Sequence, residues 1–173
     1  MRGLSVLESL LALDRRGLAD RFARGRPLSA ESLAALLPST RDGARFRGVS
    51  LGLPRLIERL TWKLFAKDVV VVDGRLQGWN VRVQQPAQTD AMSLLSCPLQ
   101  ARATFAPFTL SNDDDGAAVI DYRRSGNLFP LSHTIDPLVA IDDDAVLLGV
   151  SDLHVAGRVQ RTPTWFALFR EGP

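Results

Sequence analysis

Leu4, Leu7, Leu10, Leu11, Leu18 and Phe22 recur at the three- and four-residue intervals of an amphipathic helix. Gly17 offers a point at which this segment divides in two, and Arg24-Gly25-Arg26-Pro27 ends it. Ser29 then has the position of an N-cap for a short helix carrying Leu33, Leu36 and Leu37, closed by Pro38. A polar loop follows over 39–43, and Pro54 suits the first position of a third short helix through about Thr61.

From Lys63 the period shortens. Residues 64–72 (LFAKDVVVV) are apolar and β-branched, and Asp73-Gly74 is the strongest hairpin signal in the chain. Residues 75–84 return, with Leu76, Trp79, Val81 and Val83 prominent, and 86–90 read as loop. Further strands are predicted over 100–110, 117–122, 135–141, 145–155 and 164–170, separated by acidic turns at 111–116 and 142–144. Six to eight short strands after helices predict an α+β fold: short N-terminal helices, then an antiparallel barrel or sandwich.

At 173 residues the chain is read as a single domain, 1–173, its helical segment 1–40 packing on or beside a β-region over 46–170. A chain this long buries enough surface to need no staples. The lone cysteine, Cys97, excludes an internal disulfide framework and a thiolate metal site. With no apolar run long enough to span a bilayer, no transmembrane segment is expected. The stretch 4–13 lacks a small-residue cleavage site, because Asp14-Arg15-Arg16 follows it, so it reads as a helix rather than a signal peptide. A cytoplasmic location is the expectation. Net charge is +2, but residues 1–60 hold eleven arginines against six acids, and the acidic excess lies beyond. No aromatic residues interleave those arginines, so nucleic acid is not an expected partner.

Candidate chemistry is diffuse. Asp113-Asp114-Asp115-Gly116 and Asp142-Asp143-Asp144 lack calcium-loop spacing and read as turn formers. His133 and His154 lack the companions of a zinc site. His154 facing a barrel lumen would be a haem ligand or proton carrier, but no cofactor is predicted. The densest polar stretch is 121–136, with Asp121, Tyr122, Arg123, Arg124, Asn127, His133 and Asp136. Tyr122, His133 and Asp136 can serve as an acid–base set, with Arg124 holding an anion. Trp62, Trp79 and Trp165 either fill a core or line a cavity. Cys97 lies in an apolar stretch without a nearby basic group and reads as inert. Phosphate-loop, dinucleotide and nucleophile-elbow motifs are absent.

Residues 46–65 (FRGVSLGLPRLIERLTWKLF) resemble the signature of the bacterial GXWXG proteins, through Phe46-Arg47-Gly48, Leu60 and Trp62-Lys63-x-Phe65. Phe46 stands where that signature has its tryptophan, and 87–133 align with nothing in it. Residues 137–149 and 165–170 are similar to the ending of that family and, equally, to small bacterial lipocalin-like domains. The resemblance covers about a third of the chain. It implies a compact lipocalin-like β-barrel or half-barrel and carries over no catalytic residue. The leading expectation is a barrel that binds a small apolar or amphipathic molecule, lined by Trp79, Tyr122, Arg124, His133, Asp136, His154 and Trp165. Two alternatives stay open: an enzyme at the barrel mouth using Tyr122, His133 and Asp136, and an interaction module whose N-terminal helices dock on a partner or a second copy.

Overall fold

The alternation that predicts strands does build a sheet, and the sheet returns on itself. A computed structural model describes residues 2–35, 43–52, 62–123, 125–142 and 145–172. Its strands are β1 Arg26–Pro27, β2 Ala44–Leu51, β3 Leu64–Val72, β4 Arg75–Val83, β5 Ala101–Asn112, β6 Ala118–Asp121, β7 Thr134–Ile141, β8 Val146–Val155 and β9 Arg158–Arg170. From β2 to β9 each strand pairs antiparallel with the next, and β9 pairs with β2, so these strands form a ring-like sheet. The closing register runs from Phe46↔Arg170 to Leu51↔Trp165. Only four residues long, β6 covers just the first half of β7, and the two-residue β1 takes the free edge at Val139 and Ala140.

Four short helices accompany the sheet among the described residues: α1 Arg2–Leu11, α2 Arg15–Ala23, α3 Ala30–Ala35 and α4 Ala91–Ser96. The break between α1 and α2 falls at Asp14 rather than Gly17, because the Asp14 carboxylate accepts from the Gly17 amide at 2.8 Å and caps α2. Ser29 caps the next helix as predicted, its hydroxyl accepting from the Ser32 amide at 3.1 Å. Helix α4 has no counterpart among the predicted elements. Asp90 caps it through the Ser93 amide, at the end of a stretch whose sequence signals only loop. The predicted helix at 54–61 and residues 36–38 lie outside the described residues.

Alternation divides each strand between two cores. Leu7, Leu10 and Leu18 of α1 and α2 and Leu94 of α4 bury against the outer face of the ring, on Val49, Leu51, Leu64, Ala66, Val81, Leu148, Val150 and Trp165. Each such aliphatic side chain contributes about 2 kcal/mol. The large exposed apolar residues include none from α1 or α2, so the apolar stripes of both helices are spent on the ring. Inside the ring lie Phe46, Val69, Leu76, Phe108, Leu110, Ile120, Tyr122, Leu138, Leu147, Phe166 and Leu168. Leu28, just after β1, and Leu33 of α3 join this interior set.

Three interior positions are glycines, each opposite a phenylalanine on the neighbouring strand: Gly48↔Phe65, Gly78↔Phe108 and Gly149↔Phe166. In each pair the ring lies over the glycine so closely that a methyl group there would sit 2.1–2.6 Å from ring carbons. The rings therefore lean across the interior instead of standing upright from their strands. On the outer face, Arg47 is buried and acts as a clasp. Its guanidinium donates to the carbonyls of Leu94 (2.8 Å) and Cys97 (2.7 Å) at the end of α4, and to Glu171 (2.6 Å) beyond β9. These are the unsatisfied carbonyls that a helix C-terminus leaves, met by a cation.

Candidate functional site

The leaning rings surround a lysine. In β3 the inward positions are Phe65, Lys67 and Val69, so Lys67 is carried into the ring by the same alternation that buries its neighbours. It is 3% exposed. Its ammonium nitrogen lies 5.1–5.5 Å from the centroids of Phe65, Phe108, Tyr122 and Phe166, within cation–π range of all four. Three of these are the rings seated on glycines.

Three polar partners converge on it. Asn80 stands directly across on β4, in register with Lys67, and its Oδ1 accepts from Nζ at 2.7 Å. A bulge between Trp79 and Asn80 shifts the β4–β5 register, and Ala106 opposite has φ +47°. The Asn80 amide nitrogen donates to the freed Ala106 carbonyl at 3.3 Å. Tyr122, just past β6, accepts from Lys67 Nζ at 2.5 Å and from Asn80 Nδ2 at 3.3 Å. Having accepted twice, its hydroxyl has its own proton to give, and Asp136 is the acceptor near it. Asp136, on β7 opposite Ile120, places Oδ2 4.0 Å from Nζ. Its Oδ1 is buried without a hydrogen bond.

Burial governs the ionisation of all three groups. It pulls the Lys67 ammonium down to about 8, against the opposing pull of the Asp136 charge. It pushes the Asp136 carboxyl up to about 6, although Lys67 and the Ser151 and Tyr122 hydroxyls favour its ionised form. It raises the Tyr122 phenol well above its ordinary value, with the Asp136 charge adding to the effect. The interior thus holds an amine and a carboxyl that burial draws toward their neutral forms, in a largely apolar surrounding.

Of the residues singled out from sequence, Tyr122 and Asp136 enter this cluster. Trp79, Trp165, His133 and His154 lie outside it. Trp79 lies on the outer face of β4 with the helix-facing core. Trp165 is buried on the outer face of β9, where Phe22 of α2 meets it edge-on at 5.7 Å. His133 is exposed in a 3-10 turn, bonded to the Ser132 hydroxyl at 2.9 Å and edge-on to Phe129. His154 is half-buried beside an external groove of about 1000 Å³, whose walls include Glu31, Asn112, Asp121 and Arg123. Alternation along β8 puts His154 on the face of Val146, Leu148 and Val150, which is the outer one. Arg124 lies outside the described residues.

Lys67 and Asn80 were missed by sequence reasoning. The usable signal was a lone lysine among the otherwise apolar inward positions of β3. Among the described residues no three His, Cys, Asp or Glu side chains gather as a metal site would need. No helix among them is long and apolar enough to cross a membrane. Compared with known proteins, the chain matches no family model, no curated protein and no solved structure.

Proposed function

We propose that the ring is a lipocalin-like barrel that holds one small amphipathic molecule, with the molecule's polar head on Lys67, Tyr122 and Asp136. The observation that carries this reading is the orphaned Oδ1 of Asp136, a buried carboxylate oxygen without a partner inside an otherwise hydrogen-bonded cluster. Leaving such an atom unpaired costs about 1–3 kcal/mol or more, and a ligand donor repays that cost. The apolar part of the guest would lie against Phe65, Phe108 and Phe166, displacing or rotating rings that rest on glycines. Phe65 is the half-buried ring of the set, so the shortest way in passes it. An eight-stranded ring has room for side chains or for one small ligand, and ring movement converts the first state into the second.

Dye displacement tests the reading. An anilinonaphthalene sulfonate dye brightens on entering the interior, and 1-hexanol displaces it competitively. Lys67→Met weakens hexanol by about tenfold, equal to ~1.4 kcal/mol. Native mass spectrometry of the purified protein adds a direct look for a retained small molecule. Dye that fails to bind, or hexanol that binds Lys67→Met as well as the unaltered protein, overturns the proposal.

A further inference from the structure

The interior cluster contains more than a head-group clamp needs. A clamp for a hydroxyl requires one donor and one acceptor, and neither has to be a nucleophile. Here a buried primary amine is packed with a carboxyl at 4.0 Å and a phenol at 2.5 Å, both able to pass protons, and little water competes. That is the group set of imine chemistry: a nucleophilic nitrogen, and an acid that converts a hydroxyl into water. We infer that the guest is an aldehyde or ketone and that Lys67 bonds to it reversibly as a protonated imine, with Asp136 as its counter-charge. This rests on the reading of the ring interior as a ligand site.

The step balances without any co-reactant. The Lys67 ammonium first passes one proton to the Asp136 carboxylate; the Nζ lone pair freed in this way forms a bond to the carbonyl carbon, and the carbonyl π pair moves to oxygen. That oxygen takes the proton of the Asp136 carboxyl, which leaves a neutral hydroxyl on the adduct. The nitrogen then returns one proton to Asp136. Asp136 delivers it to the hydroxyl as the C–O bond breaks, and the nitrogen lone pair closes the C=N bond. The products are one water molecule, an iminium with a single N–H, and the Asp136 carboxylate. Asn80 is a positioning residue: its Oδ1 fixes the direction of Nζ, and its own amide is held by the Ala106 carbonyl. The ring set that surrounds the ammonium suits the iminium equally, because both carry one positive charge at the same place. Burial, which depresses the amine toward neutrality, makes the nucleophile available near pH 7.

Reductive trapping reads this directly. Lys63 and Lys67 are the only two lysines, so each amine is distinguishable by peptide mapping. The full chain is incubated with hexanal and cyanoborohydride at pH 7, and the N-hexyl label is located. The inference expects the label on Lys67 in preference to Lys63. It also expects no interior label in Lys67→Arg, which keeps the charge without a usable nucleophile. Asn80→Ala, which removes the acceptor that directs Nζ, slows the rate of labelling and moves the midpoint of its pH profile. A label spread over Lys63 and the chain's α-amine, with Lys67 unmodified, overturns the imine. The mapping is done on the unaltered protein, so its outcome does not depend on any variant folding. If hexanol displaces the dye but hexanal leaves Lys67 unlabelled, the carbonyl inference alone fails. If neither displaces the dye and Lys67 stays unlabelled, the ligand site itself fails.

Discussion

The Lys67–Asp136 pair gives a stability prediction with a definite sign. At 4.0 Å, in surroundings with an effective dielectric near 20, two unit charges attract by about 4 kcal/mol. That attraction offsets the cost of taking both charges out of water, so each partner is tolerated only because of the other. Lys67→Met leaves Asp136 buried without a counter-charge, and Asp136→Asn does the same to Lys67. Each single change is expected to cost about 3 kcal/mol, less than the full attraction plus desolvation because the stranded group escapes by becoming neutral. The double variant strands nothing and is expected to cost little more than either single one, a coupling of about 3 kcal/mol. Urea unfolding at pH 7 measures this. With an m-value near 2 kcal/mol/M for a chain of this size, about 3 kcal/mol moves the midpoint by about 1.5 M. Coupling below about 0.5 kcal/mol, the level at which separate sites simply add, would show that the two groups do not interact and would refute the pairing.

Acidity gives a second check on the same pair. Asp136 holds its proton up to about pH 6 when folded but only to about 3.8 when unfolded, so its contribution is complete below 3.8 and is lost as pH rises through 6. Lys67 behaves in the opposite sense: its contribution is complete above 10.5 and is lost as pH falls through 8. Melting temperature is therefore expected to dip between about pH 6 and 8 relative to the Lys67→Met/Asp136→Asn double variant, and a flat difference between the two profiles would count against the assignment. Gly149→Ala forces a methyl group into the Phe166 ring at 2.3 Å, and a loss of about 1–3 kcal/mol in thermal unfolding is expected. Arg47→Ala strands the buried Leu94 carbonyl and the partly buried Cys97 carbonyl and is expected to cost about 2–4 kcal/mol, with amide exchange of α4 accelerated more than that of β3. Equal acceleration everywhere would show that Arg47 is not a local clasp.

The sheet was more legible in the sequence than the site. Runs such as 64–72, with Asp73-Gly74 after them, state their own structure, because both turn residues take the positive φ that the hairpin demands. The β8–β9 hairpin was not legible, since Ala156 adopts the same conformation without advertising it, and the polar first half of β9 then resembles loop. Strand β2 was hidden by Arg45 and Arg47, whose charges suggest a solvated segment. In the fold one pairs with Asp68 across the strands and the other is buried against α4. Tyr122 and Asp136 were found because a polar stretch drew attention to them. Lys67 and Asn80 come from other strands, and only the register Lys67↔Asn80 and the closure of the ring bring the four together. Trp79 and Trp165 fall outside the interior because aromatic bulk alone does not say which face of a strand a residue occupies.

Closure of the ring also sets the order in which the chain can be completed during synthesis. Every contact from β2 to β9 joins sequence neighbours, save the last, which spans from Phe46 to Arg170. A nascent chain emerging from the ribosome can zip β2 through β8 as a curling ribbon while β2 waits with one row of amides and carbonyls unpaired. During that interval β2 is an open template for the wrong strand, from the same chain or another. Arg45 is already paired with Asp68 in that ribbon, so the uncompensated charge on the waiting edge is Arg47, whose partner Glu171 arrives only after β9, and like charges at that position discourage two such ribbons from pairing.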